Sequence, residues 1–325
     1  MSLLSGPLHN NDQQSAAGEV RGGGLQRLCS LRVLYVICCD EFLSSYSSRP
    51  SSCFPFPACL QDFTLSCVRY METLQLLSNL TSLTKLFLNM WGASRDEGLW
   101  PLLANGSLTK LTVYTTTPTS DFFAGSGPSD PHDREVFSRS SKLFDLSTEN
   151  NTGVLDVSIC SLLSATLTRL EFGFDKEIER LAEEQEEALQ LLTSLERIRF
   201  HGGNKLQRLP AGLDKLINLK QLVICACSAI RSLPSLPISL RKLEMERCAA
   251  IKSLPNSLPS SLEILMIIEC DAIKSLPKDG LPSSMRVLDV HDGNSKELKR
   301  ECRNLNYLIG TIPIVRTYSI QGFFY

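Results

Sequence analysis

The sequence lacks a long hydrophobic run, an excess of one charge sign and an export signal. No stretch of about 18 apolar residues occurs, which argues against a transmembrane helix. The 33 Lys and Arg residues nearly balance the 35 Asp and Glu residues, so no overall field favours nucleic acid or an anionic membrane as a partner. Because the segment Met1–Pro7 has no basic residues leading into an apolar stretch, we expect a soluble, cytoplasmic protein.

The sequence also lacks a phosphate-binding loop and the cysteine pattern of a disulfide-rich secreted protein. No Gly-x-x-x-x-Gly-Lys-Ser/Thr phosphate loop occurs, so we expect no bound nucleotide and no other cofactor. The 12 cysteines would suggest a disulfide framework in a short secreted chain. Here they follow an internal repeat instead, which predicts mostly buried thiols.

From Leu195 to Val290 one phrase, Leu-x-x-Leu-x-Leu-x-x-Cys/Asn, recurs at intervals of about 21 to 24 residues, a period typical of solenoids. Three copies stand in register at Leu219–Cys227, Leu240–Cys248 and Leu262–Cys270. About eleven repeats result when the weaker copies are included. These begin at Leu31, Leu60, Leu83, Leu108, Leu143, Leu167, Leu195 and Met285.

The nine places of this phrase predict a local structure. Apolar residues at places one, four and six fit a short strand whose inward side chains alternate, and such strands must stack to bury their apolar faces. Leu-Pro pairs such as Leu209-Pro210 and Leu254-Pro255 suit an irregular outer side. The sequence therefore predicts an α/β leucine-rich-repeat solenoid, a horseshoe arc with a concave parallel β-sheet and an irregular convex side.

The ninth place follows the strand, where backbone carbonyls turn inward without partners in the sheet. Small polar side chains at this place can satisfy them. The residues at the ninth place are Cys39, Asn151, Cys227, Cys248 and Cys270.

Interruptions of the repeat predict its decorations and limits. The stretches 41–57 and 115–141 are rich in Ser, Pro or Gly and predict loops. The spacing of apolar residues over Asp175–Leu192 predicts a convex helix with an acidic, solvated face. Asn294, followed three residues later by Glu297, resembles a capping box that begins a closing helix. We expect a disordered segment 1–24, a solenoid 25–293, a C-terminal cap 294–316 and a tail 317–325.

Across roughly residues 25 to 316, the sequence resembles the C-terminal leucine-rich-repeat region of plant, particularly cereal, intracellular immune receptors of the nucleotide-binding leucine-rich-repeat class. The phrases that carry the resemblance are Met71–Leu86, Glu97–Leu103, Glu184–Leu195, the Ala-Ile-Lys-Ser-Leu-Pro units that begin at Ala250 and Ala272, and Ile309–Val315.

The resemblance implies a recognition module. In that family the repeats bind a pathogen-derived or host protein and restrain an upstream nucleotide-binding switch, which is absent from this sequence. A receptor fragment, a truncated gene product and a stand-alone repeat scaffold remain open alternatives. RNA binding is the runner-up, and it would have to use the basic and aromatic N-terminal half of the concave face alone, so we expect no nucleic-acid partner.

Places three, five and seven of each repeat face solvent on the concave side, and they predict the partner-binding surface. Ile264, Met266 and Ile268 form an apolar group among charged neighbours, which marks a binding surface more often than chance. The full set of candidate partner-binding residues is Arg197, Arg199, His201, Val223, Cys225, Glu244, Glu246, Ile264, Met266, Ile268, Val287 and Asp289.

An enzyme or a metal site is the competing interpretation of this face. His201, Cys225 and Glu246 form a row at place seven, but a Cys-His-acid relay needs the imidazole between the thiol and the carboxylate. His201 and His291 would lie four strands apart, roughly 19 Å at the usual strand spacing, too far to share an ion. We therefore expect neither catalysis nor a metal.

Overall fold

A computed structural model of the chain describes residues 25–39, 55–68, 77–90, 99, 102–103, 105–115, 141–149, 153–174, 176–291, 293–309 and 312–317. Several predicted features lie outside the described residues. They are the segment 1–24, almost all of the tail 317–325, most of the two predicted loops, and Asn151.

Strands at the repeated phrase form one parallel sheet in which each strand pairs with its neighbour along the chain. In the described part of the chain the strands are β1 (Val33–Ile37), β2 (Asp62–Val68), β3 (Lys85–Met90), β4 (Lys110–Thr115), β5 (Asp145–Thr148), β6 (Arg169–Gly173), β7 (Arg197–His201), β8 (Gln221–Cys225), β9 (Lys242–Glu246), β10 (Ile264–Ile268), β11 (Val287–Asp289) and β12 (Ile314–Arg316). The chain is therefore a leucine-rich-repeat solenoid with a concave parallel sheet, as predicted.

The register of the strands confirms the alignment of the repeats. Leu222, Leu243 and Leu265, all at place four, are Cα partners on β8, β9 and β10 and are fully buried. Apolar burial of this kind contributes about 25 cal/mol per Å². The stacked column of leucines therefore stabilises the repeats against one another, together with the equally buried residues at places one and six.

The chain leaves many strands through a residue with a left-handed backbone at place eight. Ala226, Arg247 and Glu269 have φ values of 52°, 53° and 52°, a conformation that costs a residue with a Cβ roughly 1 to 2 kcal/mol. The turn carries the ninth place into the core. There Cys248 Sγ donates to the Glu246 carbonyl at 3.4 Å and Cys270 Sγ donates to the Ile268 carbonyl at 3.3 Å, as the sequence predicted.

The α-helices whose bounds the structure describes are α1 (Val157–Leu163), α2 (Glu183–Gln190) and α3 (Lys296–Ile309), and short 3-10 helices form at Leu25–Arg27 and Leu213–Lys215. The helix predicted over Asp175–Leu192 is shorter than expected, because the Glu179 carbonyl instead accepts a bond from the Gln207 N–H at 2.9 Å. Glu183, Glu184 and Glu187 are exposed, as the predicted acidic face requires. Glu186 departs from that prediction, because it is buried beside Arg208, with 3.8 Å between the charged groups.

The predicted capping box at Asn294 is wrong. The Leu298 N–H donates to Ser295 Oγ at 3.2 Å, so Ser295 caps α3. Asn294 instead takes the role of a ninth-place residue, with its Oδ1 accepting from the Cys270 N–H at 2.9 Å. Gly293, whose φ is 54°, adds one residue to the turn and thereby shifts Asn294 into this position.

The sheet continues past the last recognisable phrase. Ile314–Arg316, which the sequence placed in the C-terminal cap, pairs with β11 as the twelfth strand in the described residues. This strand follows α3 and carries no Leu-x-x-Leu phrase, so repeat counting could not find it. The boundary of the predicted cap stays a prediction.

Candidate concave binding surface

The side chains at places three, five and seven lie in three rows across the concave face, as the pairing of the strands dictates. Ile264, Met266 and Ile268, hereafter the apolar triplet, are half-buried on β10. Their Cα partners on β9 are the charged residues Lys242, Glu244 and Glu246. The triplet is therefore a local apolar region with a charged neighbour strand, as the sequence indicated.

The charges beside the apolar triplet are already paired. Glu244 lies 2.8 Å from Lys242. Glu246 lies 3.6 Å from Arg247, which also contacts Glu269 at 2.8 Å. Since such exposed or half-exposed pairs contribute only about 0 to 1 kcal/mol to stability, their main effect here is on the local potential. Lys242 and Arg247 offset two of the three carboxylates of Glu244, Glu246 and Glu269, so one net negative charge remains next to the triplet.

Two predicted partner-binding residues are buried, which corrects the expectation that all of them face solvent. Val223 is 1% exposed, because its short side chain lies between the longer side chains of its register partners Arg199 and Glu244. Asp289 is 2% exposed, and its carboxylate contacts His291 and accepts from Arg316 of β12 at 3.4 Å. Val287 is half-buried on the same strand.

His201, Cys225 and Glu246 are consecutive register partners on β7, β8 and β9. The Cys225 thiol donates to Glu246 Oε2 at 3.5 Å. Burial raises the pKa of Cys225, and the Glu246 charge raises it further, while burial lowers the pKa of His201. A protonated thiol bound to a carboxylate is not an activated nucleophile.

Metal binding gains no support from the described residues, which hold no group of three His, Cys, Asp or Glu side chains able to share an ion. The described cysteines are free thiols. Burial raises the pKa of Cys227 to about 11 and, with the Asp156 charge adding to it, that of Cys160 to about 12. These buried thiols are therefore protonated at neutral pH.

A second feature of the concave face is a depression of about 260 Å³ on β4 to β7, hereafter the polar depression. Thr112 and Ser147 form its floor, both 7% exposed, and Tyr114 lies 3.3 Å from Ser147, hydroxyl to hydroxyl. Its lining residues are Lys110, Thr112, Tyr114, Asp145, Ser147, Arg169, Leu170, Glu171, Arg197 and Arg199.

Ion pairs use both carboxylates of the polar depression. Lys110 Nζ lies 3.2 Å from Asp145 Oδ2, and Arg199 Nε lies 3.4 Å from Glu171 Oε1. Arg169 and Arg197, hereafter the arginine pair, are exposed Cα partners on β6 and β7. Neither has an ion-pair partner among the residues that the structure describes.

The predicted site residues thus fall into two groups. Arg197 and Arg199 line the polar depression, whereas the apolar triplet, with Glu244 and Glu246, lies on β9 and β10. Sequence reasoning missed Thr112, Ser147 and Glu171 as parts of a site. The register of the copies at Leu143, Leu167 and Leu195 would have placed Glu171 beside Arg199, so the signal was present.

Among the described helices, none combines the length and the apolar composition that a membrane-spanning segment requires.

Comparison with known proteins finds only distant structural similarity. No model of a protein family matches the sequence, and no curated protein matches it. Among solved structures, the chain is similar to that of the TLR13–ssRNA13 complex, with 17% identity, a TM-score of 0.48 and 79% of this chain covered. It spans 36% of the length of that protein. An internalin (inlF) from Listeria monocytogenes matches with 13% identity, a TM-score of 0.36, and coverage of 90% of this chain and 83% of that one.

Proposed function

We propose that the chain is a protein-recognition module that binds a partner protein through the apolar triplet on its concave sheet. The observation that carries the proposal is that the three apolar side chains at places three, five and seven of β10 are partly exposed, whereas the residues at the same places of β9 are charged. Core packing uses Leu262, Leu265 and Ile267 of the same repeat, all fully buried. Packing of the repeat therefore does not require the triplet to be apolar, whereas binding a protein does.

The charged residues around the apolar triplet indicate what kind of partner surface can bind there. Because Lys242 and Arg247 offset most of the charge of Glu244, Glu246 and Glu269, a strongly basic partner would gain little there. The expected partner presents an apolar side chain that fills the space over Met266, with few charges around it.

The resemblance of Met71–Leu86 and the other phrases to cereal immune receptors supports a more specific role. In this proposal the chain is the recognition region of an intracellular, cytoplasmic plant receptor and has no catalytic activity of its own. Its partner is a pathogen-derived or host protein, and the chain restrains an upstream nucleotide-binding domain. A stand-alone scaffold or a truncated product without a signalling role is the alternative, which the full transcript would decide.

The test compares two double variants of the whole chain. Ile264→Lys/Met266→Lys places two charges in the apolar triplet. The matched control, Ile217→Lys/Ile238→Lys, places the same charges on isoleucines that are 67% and 83% exposed outside the sheet. The control is expected to melt close to the wild type, because exposed substitutions usually change stability by within about 0.5 kcal/mol. The triplet variant is expected to melt only slightly lower, because long lysine stems on a half-buried strand face can carry their charges into solvent.

Affinity capture from cereal leaf extract, quantified by mass spectrometry, is followed by titration of each purified candidate. We expect at least one protein that binds the wild type and the control but binds the triplet variant at least tenfold more weakly, about 1.4 kcal/mol. Equal binding to all three chains would refute the proposal. A sharply lower melting temperature of the triplet variant would show that the triplet belongs to the core.

A further inference from the structure

Within the described part of the concave face, the arginine pair brings together two positive charges that have no ion-pair partner. Arg169 and Arg197 are direct register partners, so their side chains leave adjacent strands about 4.8 Å apart on the same face. Like charges at such cross-strand neighbours are destabilising. Asp145, the register partner of Arg169 on its other side, could relieve this repulsion.

The carboxylates nearby do not relieve it. Asp145 Oδ2 is engaged with Lys110 at 3.2 Å, and Glu171 Oε1 with Arg199 at 3.4 Å. The lining of the polar depression contains four cationic side chains against these two carboxylates. Among the described residues, the two cations of this lining that lack an ion-pair partner are therefore the two on adjacent strands.

The walls and floor of the polar depression suit a small anionic group. Thr112 and Ser147 are short residues on the floor, and the long side chains of Arg169 and Arg197 rise beside them. Hydroxyl groups at Thr112, Tyr114 and Ser147 offer hydrogen bonds to an oxygen acceptor. Two guanidinium groups supply planar, paired donors that match the geometry of a carboxylate.

An aromatic wall borders the same place. Phe87 packs edge-on against Tyr114, with 5.8 Å between their ring centroids, and Phe87 is only half-buried. Half-exposed rings beside arginines are typical of interface anchors. Because these rings can pack against the rest of a peptide, they favour an acidic side chain on a peptide over a free inorganic anion as the ligand.

From this geometry we propose that the polar depression is a second binding subsite that captures a Glu or Asp side chain of an acidic peptide segment on a protein partner, through Arg169 and Arg197. The inference deepens the proposed protein recognition and rests on it. A single-stranded nucleic acid fits less well, because Asp145, Glu171 and the exposed Glu149 would repel consecutive phosphates. Only two cations of the lining lack an ion-pair partner within the part of the chain that the structure describes.

The experiment measures binding of a short fluorescein-labelled peptide of alternating Gly and Glu to the whole chain by fluorescence anisotropy. A peptide of alternating Gly and Gln and a labelled oligouridylate serve as comparison probes. The test variant is Arg169→Gln/Arg197→Gln. The matched control is Arg180→Gln/Arg231→Gln, which removes the same charge from two exposed arginines that do not line the depression.

We expect the Glu peptide to bind the wild type and the control alike, and to bind the test variant at least tenfold more weakly. The Gln peptide should bind none of them measurably. Equal losses in test and control variants would mean a general effect of net charge and would overturn the subsite. So would an absence of Glu-peptide binding to the wild type, or an oligouridylate affinity that exceeds that of the Glu peptide and depends on the arginine pair.

The variant Ile264→Lys/Met266→Lys separates this inference from the proposed function. Its mutated residues lie outside the polar depression, so it should bind the Glu peptide as the wild type does. Loss of partner capture with intact peptide binding would support the apolar triplet alone. Glu-peptide binding that is unchanged in Arg169→Gln/Arg197→Gln would contradict the subsite without affecting the proposed role of the apolar triplet.

Discussion

The imidazole of His201 on β7 occupies the space that Gly173 leaves open on β6. The two residues are Cα partners, and a Cβ built on Gly173 would lie 2.8 Å from His201 Cε1 and 3.3 Å from the Cα of Glu149. A distance below about 3 Å between carbon atoms is repulsive. The absence of a side chain at place seven of β6 thus permits a ring at place seven of β7.

We expect Gly173→Ala to destabilise the protein by about 1 to 3 kcal/mol, the usual cost of overpacking. The double variant Gly173→Ala/His201→Ala should recover most of this loss, because the smaller residue at 201 removes the contact. Chemical denaturation of the wild type, both single variants and the double variant gives the coupling free energy. Additive effects of the two substitutions would contradict the contact.

His201 should also make stability depend on pH. Burial lowers its pKa below the ordinary value of 6.5, with the nearby Arg199 charge acting in the same direction and Glu171 and Glu149 opposing it. The folded state therefore binds the proton more weakly than the unfolded state. The stabilising contribution is present above about pH 6.5 and is lost as the pH falls through the lowered pKa.

The corresponding measurement is the unfolding free energy of the wild type and of His201→Gln across the acid side of neutrality. The difference between the two should be constant above pH 6.5 and should shift against the wild type below it. Titration of the His201 ring by NMR gives the pKa directly. A ring pKa at or above 6.5 would exclude this account.

Much of the fold could be predicted from the sequence, because repeats that share one phrase stack in the same way and therefore have the same local structure. The phrase at Leu219, Leu240 and Leu262 fixed the strands, their register and the buried leucines, all of which are observed. Features set by neighbouring repeats were harder to predict. Val223 looks exposed in its own phrase and is buried only because Arg199 and Glu244 flank it.

The candidate site was predictable to a similar extent. The apolar triplet is visible within a single repeat, since its three residues alternate along one strand. The arginine pair is apparent only when Lys110–Asp145 and Arg199–Glu171 are known to be paired. Side-chain distances of this kind depend on rotamers, which the spacing of residues along the sequence does not determine.

Asn294 should be the most sensitive polar residue near the end of the solenoid. It is buried, and its amide satisfies the Cys270 N–H and the Ile267 carbonyl. Asn294→Ala leaves both backbone groups without these bonds, which should cost about 2 kcal/mol or more. Urea denaturation of the variant measures the loss.

Asn294→Cys is the matched substitution for this test. In the preceding repeat Cys270 Sγ accepts from the Cys248 N–H at 3.4 Å, so a thiol at 294 can take over part of the role of the amide. We expect the loss for Asn294→Cys to be clearly smaller than that for Asn294→Ala. Equal losses would argue against interchangeable Cys and Asn at the ninth place.

Cys225 should react slowly with alkylating reagents, although it is only half-buried. Its pKa is raised by burial and by Glu246, whose carboxylate also accepts the thiol proton, so little of the reactive thiolate is present near neutral pH. In timed labelling with iodoacetamide, read by peptide mass spectrometry, Cys225 should lag well behind the exposed Cys29. Glu246→Gln should accelerate labelling of Cys225, because it removes a negative charge that disfavours the thiolate. Faster labelling of Cys225 than of Cys29 in the wild type would instead indicate an activated thiol and reopen the enzymatic interpretation of the His201, Cys225 and Glu246 row.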